Sequence, residues 1–304
     1  MSTPALEAPP TELMQRLAVF ARDIKISHTL FAMPFALLSM VLASRQVPGG
    51  LRPGHVILIV LCMIFARSVA MAVNRLLDAP IDAINPRTAR RAIPSGQLSQ
   101  RFVTILTLVF AVGFITSAAG FKVMYNNPWP LILSSPVLLL LSAYPLLKRF
   151  TQLCHYYLGA MLALAPVCAW VALTGRIDAP PLWMAGAVLC WTAGFDIIYA
   201  CQDYESDVKY GIFSVPAKLG ITKALWISRA THVVCIAMLI GLGVSSPHLD
   251  KIYFVGVGIA ALLLIVEQSL VSPTDLSKAG IAFFTVNGII SLLLGIMGIV
   301  DAFL

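Results

Sequence analysis

The sequence predicts an all-α integral membrane protein, with about nine transmembrane helices around a central cavity. Three observations predict it. Of 304 residues, 59% are hydrophobic and only 12% are charged, against roughly a quarter charged in a soluble domain. The apolar residues fall in runs of about 20, the length of a bilayer-crossing helix. The charges collect in the short segments between those runs. A soluble core from a chain of this length could not cover so much apolar surface, so membrane lipid is the expected surrounding.

Nine runs qualify, near 26–45, 54–74, 102–121, 130–147, 153–174, 182–202, 222–244, 252–271 and 280–302. Ahead of them, residues 1–15 read as a disordered tail, and 16–304 as a single transmembrane domain. The opening stretch carries Pro and Glu with no apolar region before a cleavage site, so no signal peptide is expected. Lys and Arg in the connecting segments set the orientation. With the N-terminus in the cytoplasm, 14 basic residues face that side and 5 the other, while Arg67 and Arg229 fall inside spans. That bias favours an inner-membrane protein with a cytoplasmic N-terminus and an odd number of spans. The net charge of +7 is then mostly topological, and no nucleic-acid partner is expected. The six cysteines lie in or beside spans without a C-x-x-C pair and read as small packing residues.

Six of the 14 acidic residues form two clusters. Asp78 and Asp82 close the second span; Asp196, Asp203, Glu205 and Asp207 close the sixth. Both therefore fall on the cytoplasmic side that the basic residues define. Acids at membrane depth are expensive and point to function. Asn74, Asp78 and Asp82 follow i, i+4, i+8, one helix face, which Arg67 and Met71 extend deeper into the bilayer. Pro80 is expected to disturb the last turn and so to leave the position of Asp82 loosely defined. Asp196, Tyr199, Asp203 and Asp207 follow i, i+3, i+7, i+11, again one face, ended by Gly211.

Stacked carboxylates repel, more strongly where water is scarce. Divalent cations compensate simply, and Mg²⁺ pairs one or two carboxylates with the phosphates of a substrate. Basic residues share the layer: Arg87, Arg90 and Arg91, then Lys148 and Arg149, with Lys25 and Lys209 nearby. Lipid anchoring explains their side of the membrane but not their alternation with acids; a metal-bound diphosphate needs both signs. The offset of four spans between the clusters suggests two four-helix units plus a ninth helix, with the carboxylate faces opposed across the cavity.

These segments resemble the UbiA superfamily of intramembrane prenyltransferases over about residues 20–300. Asn74 to Asp82 fits N-x-x-x-D-x-x-x-D, and Asp203 with Asp207 fits D-x-x-x-D, preceded by Asp196 and Tyr199. Arg91 with Pro94-Ser95-Gly96 fits an R-P-L-P-S-G stretch in which Ala92 replaces the first proline. Tyr144-Pro145 followed by Lys148-Arg149 fits a further segment. Within the superfamily, the wording around Lys25, Phe195–Asp207 and Ala282–Asn287 is similar to the 4-hydroxybenzoate polyprenyltransferase branch.

The resemblance implies a Mg²⁺-dependent enzyme that moves a polyprenyl group from its diphosphate to an aromatic carboxylate acceptor in quinone biosynthesis. Asn74, Asp78, Asp82, Asp203 and Asp207 would hold Mg²⁺ on the diphosphate. Lys25, Arg91, Lys148 and Lys209 would neutralise the leaving group. Tyr144 and Tyr199 are candidates to face the allylic cation. Arg149, by family match, or Arg67, by helix face, would bind the acceptor carboxylate. Glu267 and Asn287 read as helix–helix hydrogen-bond partners. A naphthoate or haem acceptor remains open on sequence alone. An ion-coupled transporter is the alternative of another class, although its acids would be expected at broken helices near the midplane.

Overall fold

The computed structural model describes residues 12–24 and 31–304, and among these every regular element is helical. Helix α1 (Leu13–Asp23) starts inside the segment expected to be disordered. The correction has a physical cause: Phe20 and Ile24 are buried against Ala72, Ala92 and Val103, and Phe20 stacks on Phe110 at 5.9 Å. Helix α2 (Met33–Ser44) stands in place of the first expected span. At 12 residues it is shorter than a bilayer crossing, and nearly all of it is buried.

Eight further helical stretches are long and apolar enough to cross a membrane. They begin with α3 (Pro53–Ile84), α4 (Gln100–Tyr125) and α5 (Trp129–Leu147). Next come α6 (Cys154–Thr174) and α7 (Ala179–Ala200), the latter prolonged through a 3₁₀ turn (Cys201–Asp203) into α8 (Tyr204–Tyr210). The short α9 (Val215–Leu219) leads to α10 (Ile221–Ser245) and α11 (Lys251–Ser269). The last stretch runs from α12 (Ala279–Ile281) through a π-helical turn (Ala282–Val286) into α13 (Asn287–Phe303).

Two boundaries matter for the site. Helix α3 has 32 residues and continues through Pro80. At 1.5 Å per residue it spans about 48 Å, so its last turns reach beyond a hydrocarbon layer of about 30 Å. Asp82 is therefore held in a regular helix, contrary to the disturbance expected from Pro80. The second acidic segment departs from a uniform helix instead: the 3₁₀ turn separates Asp196 and Tyr199 from Asp207. Gly211, with φ of 68°, ends α8 as its sequence suggests.

Helix α3 packs on α4 and α5, while α7 lies between α6 and α10; α2 packs on α6 and α13. Small residues permit the tight contacts. A side chain at Gly159 of α6 would run into the Leu189 carbonyl of α7, so this crossing requires glycine.

Candidate active site

A cavity of about 450 Å³ lies between α3, α5, α6 and α7. Most of its wall is apolar, from residues such as Phe114, Leu133, Val137 and Leu162, and its polar groups gather at the end where α3 and α7 finish. Asn74, Asp78 and Asp82 line one side of that end; Asp196, Tyr199, Asp203 and Asp207 line the other. The two acidic motifs thus meet across one space, as their placement in the sequence implies.

Three of the carboxylates carry a cationic partner. Lys148 Nζ donates to Asp78 Oδ2 at 2.5 Å, and Asn74 Nδ2 donates to the same oxygen at 2.8 Å. Arg91 Nη1 donates to both oxygens of Asp82 at 2.7 Å. Arg87 grips Asp203 with a guanidinium fork, Nε to Oδ1 at 2.8 Å and Nη2 to Oδ2 at 2.5 Å. Its third nitrogen donates to the Tyr199 hydroxyl at 2.8 Å. Burial works against the Arg87 charge, yet its hydrogen bonds to Asp203 and that carboxylate's field hold the guanidinium pKa above its ordinary value. Asp207 accepts from Ser214 Oγ at 2.9 Å.

Supporting contacts fix these groups. Arg75 donates to Asn74 Oδ1 at 3.0 Å and to Asp23 Oδ2 at 3.1 Å, tying α1 to the first motif. Asp23 also accepts from the Ala92 N–H at 3.0 Å, which anchors the loop carrying Arg91. Asp196 pairs with His155 Nδ1 at 2.7 Å, and the Val215 N–H donates to His155 Nε2 at 3.2 Å. That backbone donor requires a lone pair on Nε2, so the ring proton sits on Nδ1 and is donated to Asp196. Asp196 thereby joins α7 to α6 and to the segment after α8.

The donor set fits a hard dication. Asp78 Oδ1 is buried with no hydrogen-bond partner, and the available ligands are carboxylate and amide oxygens, the kind Mg²⁺ takes. Among the described residues no three His, Cys, Asp or Glu side chains converge tightly enough to hold a metal alone.

Arg91, Tyr144 and Lys148 line the cavity as well. Arg149 and Lys209 do not. Arg149 Nη2 donates to the Leu77 carbonyl at 2.6 Å, and exposed Lys209 lies over the Tyr210 ring at 5.3 Å. Lys25 lies outside the described residues. No individual role for Arg87, His155 or Ser214 is legible in the sequence, nor for Asn85, whose Nδ2 donates to Asp203 Oδ1 at 3.2 Å. Only Arg87 left a signal, as part of the basic loop following the first motif. Glu267 and Asn287 meet as expected, at 3.1 Å, and Asn287 Oδ1 also accepts from Trp191 Nε1.

Fold and site define a class: a helical membrane protein whose cavity joins a paired carboxylate–cation layer to a long apolar compartment. The UbiA prenyltransferase family matches residues 32–289 of this chain. The 4-hydroxybenzoate octaprenyltransferase of Vibrio parahaemolyticus serotype O3:K6 is 30% identical over 87% of this chain and 89% of its own. A UbiA homolog from Aeropyrum pernix K1 superposes with a TM-score of 0.80 at 31% identity, covering 91% of this chain and 98% of that one. A homolog from Archaeoglobus fulgidus bound to DMAPP and Mg²⁺ shares the fold at a TM-score of 0.67 and 17% identity, covering 94% and 99%. This chain belongs to the UbiA prenyltransferase family.

Proposed function

We propose that this protein transfers a polyprenyl group from polyprenyl diphosphate to 4-hydroxybenzoate, with Mg²⁺, at the cytoplasmic end of an inner-membrane helical bundle. The product is a prenylated hydroxybenzoate, a quinone precursor. One observation carries the reading: two carboxylate faces and their cations oppose each other at the polar end of an apolar cavity. A polyprenyl diphosphate has that same polarity, an anionic head on a lipid-soluble tail. The 4-hydroxybenzoate octaprenyltransferase from Vibrio supports the acceptor, and the DMAPP- and Mg²⁺-bound homolog supports the donor and the metal.

Asn74, Asp78, Asp82, Asp203 and Asp207 would hold Mg²⁺, which supplies Lewis-acid stabilisation of the departing diphosphate. Lys148, Arg91 and Arg87 now pair with carboxylates; the same groups suit phosphate oxygens and neutralise charge that grows as the carbon–oxygen bond breaks. The allylic cation left behind faces aromatic rings. Tyr199 lies 4.3 Å from Phe283, and Phe283 and Phe284 reach the cavity from the π-helical turn. Arg87 donates to the Tyr199 hydroxyl and its guanidinium lies over that ring, 5.0 Å from the centroid, so the side chain is held in one orientation. The acceptor ring attacks through the carbon beside its hydroxyl, and the proton on that carbon is lost to restore aromaticity.

An assay with geranyl diphosphate and Mg²⁺ tests the proposal against 4-hydroxybenzoate and a dihydroxynaphthoate in parallel. Prenylated hydroxybenzoate is the expected product. Turnover of the naphthoate alone would overturn the acceptor assignment, and diphosphate release unaffected by Asp78→Ala and Asp203→Ala would overturn the chemistry.

A further inference from the structure

Trp191 of α7, Glu267 of α11 and Asn287 of α13 form a buried polar knot behind the cavity. Each is at most 1% exposed, and none lines the cavity wall. Trp191 Nε1 donates to Asn287 Oδ1 at 2.5 Å, and Asn287 Nδ2 donates to Glu267 Oε1 at 3.1 Å. Glu267 Oε2 has no partner. Apolar side chains of similar volume would join the three helices without desolvating a carboxyl group and an amide. Adhesion between helices alone does not account for the knot.

The Asn287 amide has two further acceptors. Its Nδ2 lies 3.0 Å from the Ala282 carbonyl oxygen and 3.3 Å from that of Phe283. Both carbonyls belong to the π-helical turn Ala282–Val286. Such turns are rare and depart from the i to i+4 ladder, so their carbonyls need other donors. Asn287 supplies one from its side chain. The extra residue of the turn rotates the chain ahead of it by about 100° relative to α13. Phe283 and Phe284 stand in that turn, and their rings line the cavity. Phe283 lies 4.3 Å from Tyr199, 4.5 Å from Phe284 and 5.0 Å from Phe195. Arg87 ties Tyr199 to Asp203, so this aromatic wall begins at the carboxylate layer.

We infer that Asn287, fixed by Trp191 and Glu267, is a positioning residue that holds the π-helical turn so that Phe283 and Phe284 wall the reacting end of the cavity against water. This rests on the prenyl-transfer reading above. An allylic cation beside the wall meets aromatic faces instead of water. Where the wall gapes, water adds to the cation and loses a proton, giving a prenyl alcohol in place of the prenylated ring. The knot thereby sets how the cation is partitioned, without touching either substrate.

The test uses the full-length protein in bilayer nanodiscs with geranyl diphosphate, Mg²⁺ and 4-hydroxybenzoate. Mass spectrometry measures prenylated product against geraniol and linalool, the alcohols formed when water captures a geranyl cation. Asn287→Leu is expected to raise the ratio of alcohol to product about 3- to 30-fold, the range of a cation–π contact expressed as a rate ratio. KM for geranyl diphosphate should stay within about twofold, because no phosphate contact is removed. Phe283→Leu should move the ratio in the same direction. Tyr253→Phe is the control: it removes a buried hydrogen bond from α11 to the Leu239 carbonyl, away from the cavity. It should lower thermal stability and leave the ratio unchanged. If Asn287→Leu does not fold, Trp191→Phe decides. It keeps a ring but loses the N–H that fixes the Asn287 amide, and a raised ratio supports the inference. A wild-type ratio in the folded Asn287 variant, or in Trp191→Phe when that variant decides, would overturn it. So would an equal rise in Tyr253→Phe. If the wild-type protein turns over only a naphthoate, the acceptor reading fails, and the same ratio on that acid judges Asn287. A wild-type protein that releases no diphosphate would overturn both.

Discussion

Asp78 is 1% exposed and is held by one lysine and one asparagine, with its second oxygen unpartnered. Removing Lys148 would leave a buried, uncompensated carboxylate. Lys148→Met is expected to lower stability by about 3 kcal/mol in metal-free buffer, as for other broken buried pairs. The loss should shrink when Mg²⁺ is added, and thermal unfolding in detergent with and without the metal reads both effects. Asp203 differs in that its partner Arg87 also sets Tyr199. Asp203→Asn weakens a charge-assisted fork and removes a metal-binding charge together, so kcat should fall about 10²- to 10³-fold, the scale of a lost electrostatic contact at a reacting centre. Single-turnover formation of prenylated product measures it. Arg87 itself was visible in the sequence only as one basic residue among several. Its partner lies 116 residues away, and no local spacing encodes a contact of that range.

At the scale of elements, the acidic motifs work because their helices overrun the apolar layer. Helix α3 carries Asp78 and Asp82 on turns that continue past Pro80. The ring removes one backbone hydrogen bond, but the helix is held on that face by Arg91 on Asp82 and by Thr88, whose hydroxyl donates to the Asp82 carbonyl at 3.1 Å. The local propensity of Pro80 points to a disturbed turn, and these tertiary contacts override it. The α6–α7 crossing sets the distance between His155 and Asp196, and Gly159 makes that approach possible. Gly159→Val should push the helices apart, destabilise the protein by about 2 kcal/mol or more, and reduce monodisperse protein in size-exclusion chromatography. A surface glycine with open space around it, Gly258, should tolerate alanine with little change.

At the scale of the whole molecule, the charge bias and the site imply one orientation. The carboxylate–cation layer, the loop after α3 and the end of α5 share one end of the bundle, and most of the basic residues of the connecting segments belong there. A cysteine at exposed Arg90 should react with a membrane-impermeant maleimide in inside-out vesicles and stay protected in right-side-out ones. A cysteine at Asn127, beyond α4, should behave oppositely. The six native cysteines are buried or half-buried, so their background is low. Labelling of Arg90→Cys from the outside would reverse the proposed topology.

The sequence by itself determined the membrane setting, nearly all the spans and the residues of both acidic motifs. Each of these is a local signal: run length, helical periodicity and charge in short loops. That Asn74, Asp78, Asp82, Asp203 and Asp207 share one cavity layer was legible because both motifs fall at the same end of their spans, although a 3₁₀ turn breaks the helix within the second. Tertiary structure alone decided which cation meets which carboxylate, that Asp196 is tied to His155, and that Arg67 rather than Arg149 faces the cavity. It also decided that α1 folds back onto α3 and α4 and that α2 is short. The physical reason is common to all of these: partner choice depends on how helices far apart in the chain cross and rotate, and the packing of buried side chains fixes that only when the bundle closes.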